Sequence, residues 1–291
     1  MEGKSPRPLQ VLLVTGFLTS EHDPRISSWI RCLLESTGRF RVKITEEFRG
    51  ATAETLAPYD LVFVNYDGKE SVEDAAVSWG ESAETAVLDF VRSGKGIVFL
   101  HSAVWIECWP ETFLDMMGGC CDFRTGSRKT PASDFRVTHQ IPDHPVTAGL
   151  PPFWNAVTDD LFTPTRWAPG ASVEVLATAF DDPAEYDRIP PHMTQDYTPE
   201  KRVGMKEISG EVPVAWTNRF GEGRAFVLTI GHGVEIVRRM PFVGLVSRGC
   251  EWAATGVVTI PAPDIAYENR RRAWPYYSED TVQENARRIV L

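Results

Sequence analysis

Short runs that are apolar on both faces constrain this chain most. "LQVLLV" (Leu9 to Val14), "LVFVN" (Leu61 to Asn65) and "GIVFLH" (Gly96 to His101) are nearly continuous hydrophobic strands. A strand wetted on one side alternates instead, so these runs predict a sheet covered on both faces. Between them the period changes. Ile26, Trp29, Ile30, Leu33 and Leu34 recur at i, i+3, i+4, i+7 and i+8, which is one face of a helix. Gly38 ends it, and Phe40, Val42 and Ile44 alternate as a further strand. Ala83, Ala86, Val87, Phe90 and Val91 repeat the helical spacing, with Ser82 as expected N-cap and Gly94 as stop. Short connections between these elements predict right-handed crossovers and a mostly parallel α/β sheet with helices on both faces. Ligands of such sheets bind outside the carboxyl ends of the strands. The loops after Val14 and Val64, and the pair His101–Ser102, are therefore the first place to look for a site.

The second half reads differently. Prolines and glycines from Pro142 to Gly170 predict long loops. "VEVLATAF" (Val173 to Phe180) and "PVAWTN" (Pro213 to Asn218) read as strands, and "RFGEGRAFVLTI" reads as a hairpin insertion. Phe242, Leu245, Val246, Gly249, Cys250 and Ala253 form a last helical face. Asp181 to Glu211 is expected to be an excursion or lid. Residues 1–260 form one α/β domain in this reading. Residues 261–291 are a polar tail whose aromatics dock on the body or on a second subunit as a homodimer contact.

A formal charge of -10 repels phosphate backbones, so no nucleic-acid partner is expected. The apolar runs fall short of the ~20 residues a membrane helix needs, and the first residues lack a signal-peptide core, so the expectation is a cytoplasmic protein with no membrane partner. The five cysteines, Cys32, Cys108, Cys120, Cys121 and Cys250, contain no C-x-x-C pair and predict buried free thiols.

Four stretches carry a family likeness. They are "LLVTGFLTSEHD", "AVLDFVRSGKGIVFLHSAVW" with "WPETFLDMMGG", "FRVTHQIPDHPVTAGLPPFWNAVTDDLF", and "PVAWTNRFGEGRAFVLTIGHG" with "RGCEWAATG". In order and spacing they resemble the ThuA-like (trehalose utilisation) family over roughly residues 9 to 256. The resemblance implies a flavodoxin-like, class I glutamine amidotransferase-like fold. It also implies work on trehalose and related glycosides, including 3-keto forms. Gly233 stands where the family often has Asp, and Asp160 where Glu is common.

His22, His101 and His232 each follow a predicted strand, and the topology can bring them to one rim. Three neutral imidazoles can hold a divalent metal, zinc or manganese, with a position left open. The same groups can serve without metal as general acid and base. No nucleotide cofactor is expected. His144, in "DHPVT", either orients a loop over the substrate or only shapes a turn, while His139 and His192 are read as structural. The strand-to-helix turn "FLHSAVW" has no cysteine, which argues against glutaminase chemistry. Ser102 lies near that elbow and is a candidate nucleophile or substrate contact. Sugars stack on aromatic faces and bond to carboxylates. Trp105 is expected as a site wall, while Trp79, Trp109, Trp154 and Trp216 serve equally as core. Asp23 and Asp160 are expected substrate contacts, with Asp67, Asp159, Glu107 and Glu111 as further acceptors.

The resulting expectation is a sugar isomerase or hydrolase, with isomerisation preferred because no glycosidase-like carboxylate pair is readable. A protein of a different class, one that binds carbohydrate or assembles without catalysis, fits the missing nucleophile.

Overall fold

The computed structural model describes residues 7–19, 21–71, 73–188 and 197–263. The first half alternates as expected. Strands β1 (Leu9–Val14), β2 (Phe40–Thr45), β3 (Leu61–Val64) and β4 (Gly96–Leu100) are joined through helices α1 (Ile26–Ser36), α2 (Ala53–Leu56) and α3 (Glu81–Arg92). After β4 come α4 (Thr112–Met117), β5 (Gly119–Cys120), β6 (Arg128–Lys129), β7 (Ser133–His139) and β8 (Phe153–Asp159). Two short strands, β9 (Phe162–Thr163) and β10 (Arg166–Trp167), lead to β11 (Glu174–Phe180) and α5 (Pro199–Val203). The hairpin β12 (Glu211–Phe220) and β13 (Gly223–Leu228) precedes α6 (Val234–Val237) and α7 (Met240–Thr255).

Nine strands form the central sheet in the order β2-β1-β3-β4-β13-β12-β11-β7-β8. The run from β2 to β13 is parallel throughout. The remaining pairings are antiparallel, which leaves β12 and β7 running against all the other strands. The carboxyl ends of β1, β3, β4 and β13 consequently share one rim.

The double-faced strands divide their side chains between two cores. Val11, Leu13, Leu61, Phe63, Val98, Leu100, Phe226 and Leu228 pack with α1, α6 and α7. Their neighbours Leu12, Val14, Val62, Val64, Ile97, Phe99, Ala225 and Val227 pack with α3 and α4. This alternation is the period-2 geometry of a strand with helices on both faces. Val137 of β7 and Trp154 and Ala156 of β8 join the first core. The far edge of the sheet therefore curls over the α1/α7 face, which brings the end of β8 back to the rim.

Two expectations are corrected. The stretch Pro142 to Gly170 is not simply loop, because it holds β8, β9 and β10. Its prolines and glycines sit at the turns between these strands and mask the alternation of "FWNAVTD". Ser82 does not cap α3. The helix begins after Gly80, and the Ser82 hydroxyl donates instead to the Ala51 carbonyl (3.2 Å). Most of the expected tail, residues 264–291, lies outside the described residues. Up to that point the chain stays on the body, with Arg248 of α7 donating to the Ile260 carbonyl (2.5 Å). Among the described residues no helix is long and apolar enough to cross a membrane.

Gly96 sets how closely α7 approaches β4. A Cβ there would stand 2.5 Å from the carbonyl carbon of Ala253 and 2.7 Å from the amide of Ala254, both helix backbone that cannot rotate away. Gly96→Ala is expected to cost about 1–3 kcal/mol through overpacking. Urea unfolding checks it, and an unchanged midpoint would show that α7 is not seated against β4.

Candidate functional site

The site begins where β4 leaves the sheet. His101 takes a left-handed conformation (φ 50°) that a non-glycine residue rarely adopts, then opens a single 3-10 turn, His101–Val104. Its buried Nδ1 lies 2.7 Å from the carbonyl oxygen of Thr229, just beyond β13. A carbonyl only accepts, so Nδ1 carries the proton and Nε2 keeps its lone pair. Burial, reinforced by His22 and His232, holds the imidazole well below its ordinary pKa, so it is neutral.

His22 arrives on the loop after β1. Its Nδ1 is 2.8 Å from the Thr19 hydroxyl and 3.3 Å from the Asp67 carboxylate, which follows β3. Asp67 is itself fixed by the amides of Thr19 (3.2 Å) and Lys69 (3.0 Å). Nδ1 is therefore engaged by the Thr19 hydroxyl beside the carboxylate, and the buried Nε2 has no hydrogen-bond partner. His232, on the loop after β13, places Nδ1 3.3 Å from His101 Nε2. Burial, then the nearby Lys129 ammonium, pushes the His232 pKa down to about 4. Ring centroids are 5.0 Å apart for His22 and His101, 5.1 Å for His22 and His232, and 5.3 Å for His101 and His232. One donor atom from each of the three lies within 4.8 Å of the others.

The curled edge supplies the carboxylates. Asp159, the last residue of β8, accepts from the amides of Gly231 (2.8 Å), Asp160 (2.8 Å) and His232 (3.3 Å). Asp160 is fully buried, with Oδ1 3.7 Å from His101 Nε2 and Oδ2 3.6 Å from His232 Nδ1. Lys129 Nζ stands 3.1 Å from Asp160 and 2.7 Å from Glu21. That contact is an ion pair, and neither Asp160 oxygen has an aligned hydrogen bond. Burial raises the pKa of both aspartates. Asp160 adds to this for Asp159, whereas Lys129 opposes it for Asp160. Burial works against the Lys129 charge too, but Asp160 and Glu21 outweigh it and hold that pKa above its ordinary value.

His22, Asp67, Lys129, Asp160 and His232 line a cavity of about 800 Å³, a common size for a small-ligand site, and His101 packs against its lining residues Phe162 and His232. Its wall is aromatic. Trp105 stacks on Phe123 (4.1 Å between centroids, 13° between planes), and Phe162 lies 5.3 Å from Trp105 and 4.6 Å from His101. The expected excursion contributes Glu185, Arg188 and Tyr197 to the lining, and the Tyr197 hydroxyl donates to the Lys129 carbonyl (3.0 Å). Its His192 lies outside the described residues.

His22, His101, His232, Ser102, Trp105 and Asp160 are thus brought together around one space. Asp23 and His144 are not. Asp23 turns outward to a bidentate pair with Arg25 (2.6 Å and 2.9 Å). His144 accepts from the amide of Val146 (3.2 Å) and lies 5.5 Å from the Trp252 ring, so it shapes the turn of "DHPVT" against α7. Ser102 reaches the cavity, but its hydroxyl has no partner, and His101 directs its nitrogens elsewhere. Trp79, Trp109, Trp154 and Trp216 are buried in the cores. All five cysteines are free and buried, and burial pushes the Cys108 thiol well above its ordinary pKa, so none is a ready thiolate. Sequence reasoning missed Lys129 and Glu21, which belong to no motif. It named Asp67 and Asp159 only as acceptors for hydroxyls, and missed that they orient His22 and His232.

The donor set suits a divalent cation. Metal-binding histidines usually give their second N–H to a carboxylate or a backbone carbonyl. Here the Thr229 carbonyl receives the His101 proton and Thr19, beside Asp67, engages His22 Nδ1, which leaves the Nε2 atoms of both rings as available donors to a cation.

Fold and site define an α/β protein with an imidazole-lined cavity at the carboxyl rim of its parallel strands. Its sequence matches the trehalose utilisation (ThuA) family profile over residues 10–253, and the chain belongs to that family. A ThuA-like protein from Parabacteroides merdae ATCC 43184 shares the fold, with TM-score 0.66 and 24% identity, over 89% of this chain and 94% of the other. A second, from Bacteroides uniformis ATCC 8492, aligns with TM-score 0.60 and 18% identity over 86% and 94%. A cytoplasmic protein of Salmonella typhimurium aligns with TM-score 0.52 and 12% identity over 84% and 99%. At these identities the likeness speaks to the fold alone. No curated protein matched the chain in sequence.

The placement of His144 has a pH consequence. Burial holds its pKa below the ordinary value, against a smaller opposing effect of Glu174. Protonation therefore favours the unfolded chain. The stabilisation is complete above about pH 6.5 and is lost as pH falls below it. Between about pH 7 and pH 5, His144→Gln is expected to flatten the stability curve. Parallel curves for variant and wild type in urea melts would refute the assignment.

Proposed function

We propose that this chain is a sugar-processing enzyme whose centre is the triad of imidazoles His22, His101 and His232, acting on keto forms of glycosides. The observation that supports this reading is the convergence of those three rings, from three different loops, onto one space. His101 has its tautomer dictated by the Thr229 carbonyl, and His22 is held through Nδ1 by Thr19 beside Asp67. We assign them a divalent cation, zinc or manganese. When bound, such a cation polarises a carbonyl and stabilises the charge of an enediolate.

The chain's own residues account for the rest. Asp160 is a buried carboxylate whose oxygens have no aligned hydrogen bonds, and burial makes it a stronger base than an exposed one. It is placed to take a proton from the hydroxyl-bearing carbon next to a carbonyl and return it to the former carbonyl carbon, while the hydroxyl proton passes to the former carbonyl oxygen, which is isomerisation. Trp105, Phe123 and Phe162 offer ring faces to the C–H side of a sugar and exclude water. Glu107 Oε1 accepts from the Phe123 amide (2.8 Å), which keeps that wall in place. We read the five parallel strands, β2-β1-β3-β4-β13, as a flavodoxin-type unit, and the free thiols as those of a cytoplasmic protein.

A second reading, sugar binding without catalysis, draws on Ser102, whose hydroxyl has no base. The two separate on one variant. His101→Ala is expected to lower turnover of 3-keto-glycosides by about 10²–10⁴-fold while calorimetry still detects the sugar. Zinc content by elemental analysis is expected to fall with it. Turnover undiminished in His101→Ala would overturn the catalytic reading, and absence of turnover on any keto-sugar in wild type would favour the binding one.

A further inference from the structure

Lys129 poses a question that the three imidazoles do not answer. An ammonium beside a cation site repels the cation, yet Lys129 is aimed at that site from the short strand β6, between Glu21 and Asp160. The distances suggest why. Donors roughly 2.0–2.1 Å from a tetrahedral cation stand about 3.3–3.4 Å from one another. His101 Nε2 and His232 Nδ1 are 3.3 Å apart. Asp160 Oδ1 is 3.7 Å from the first and Oδ2 is 3.6 Å from the second. Each carboxylate oxygen is thus a few tenths of an ångström farther from one imidazole nitrogen than donors on a shared tetrahedral cation would be. Asp160 is fully buried, its oxygens lack aligned hydrogen bonds, and Lys129 is the group that pairs with Oδ2 on its other side.

We infer that Lys129 is a positioning residue: its ion pair holds Asp160 back from a cation at His22, His101 and His232, so that the fourth coordination position stays open. This rests on the cation reading above. A cation with four protein donors is closed, as in structural sites, whereas catalytic sites retain a free position. Glu21 anchors the ammonium from the solvent side (2.7 Å), and the Tyr197 hydroxyl, bonded to the Lys129 carbonyl (3.0 Å), fixes its backbone. Lys129 therefore trades affinity for access. Without its charge, Asp160 is drawn to the nearest positive centre, the cation itself.

The consequence runs in two opposite directions, which loss of folding would not produce. Cobalt(II) titrated into the full chain, followed by its visible absorption, is the probe. Lys129→Met is expected to bind cobalt about tenfold more tightly than wild type, the scale typical of changes around metal ligands. Azide, which seeks an open position, is expected to shift the cobalt spectrum of wild type and of Lys129→Arg but not of Lys129→Met. Lys129→Met with Asp160→Asn is expected to lose the added affinity and regain the azide response. Lys129→Gln also lacks the charge and is read in the same way should the methionine variant fold poorly. If Lys129→Met binds cobalt no more tightly and still answers to azide, the inference is overturned. The underlying cation reading is checked separately by His22→Ala, His101→Ala and His232→Ala. Unchanged cobalt binding in all three overturns that reading, and with it this one. Failure of wild type to bind cobalt likewise overturns the cation reading, and with it this one.

Discussion

The carboxylate of Asp159 holds the two parts of this sheet in one working arrangement. It ends β8, on the strand farthest from the parallel core, and accepts from the amides of Gly231 and His232, on the loop that leaves that core. Burying a carboxylate is expensive unless its oxygens are satisfied. Backbone N–H groups satisfy these, and they come from the very loop that must be placed. The antiparallel edge therefore cannot relax from the rim without exposing buried, unpaired amides. Everything specific about the site follows from that closure, because Asp160, the next residue, is delivered to His101 and His232 by it.

The imidazoles obey a second constraint. Burial opposes charge on His101 and His232. Neutral rings have one donor and one acceptor nitrogen, so the partner of the donor decides where the lone pair points. The Thr229 carbonyl makes that choice for His101, and Thr19 beside Asp67 engages Nδ1 of His22. The left-handed backbone of His101 belongs to the same logic, since it turns a ring inward at the position where an extended residue would continue the strand. Of the two adjacent buried aspartates, Asp159 is satisfied by backbone amides and Asp160 pairs with Lys129. The site therefore gathers carboxyl groups and imidazole nitrogens around one space, which are the donor types a divalent cation takes.

Much of the frame was legible because it is periodic. Runs such as Leu9–Val14 and Gly96–Leu100 needed two covered faces, and α1 and α3 declared themselves through helical spacing. The histidines were legible for a related reason: a polar, ionisable residue at the end of a fully buried strand has few places to go except the rim. Trp105 followed from the same adjacency. Ser82 was misread because a cap depends on where the helix starts, and Gly80 moved the start. His144 was left open between a loop over the substrate and a turn, and packing against Trp252 put it on the turn. Lys129 and Glu21 carried no local pattern at all.

The sequence by itself determined the alternating architecture, the parallel rim and the identity of the three rings gathered there, because side-chain period and burial are properties of neighbouring residues. Tertiary structure alone decided which carboxylate faces which ring, which tautomer each ring adopts, and that the edge strands curl to bring Asp160 and Lys129 into the same cavity. Those relations link residues from tens to more than a hundred positions apart. They depend on distances of a few tenths of an ångström between groups whose energies change steeply with separation when water is excluded, and no pattern along the chain records them.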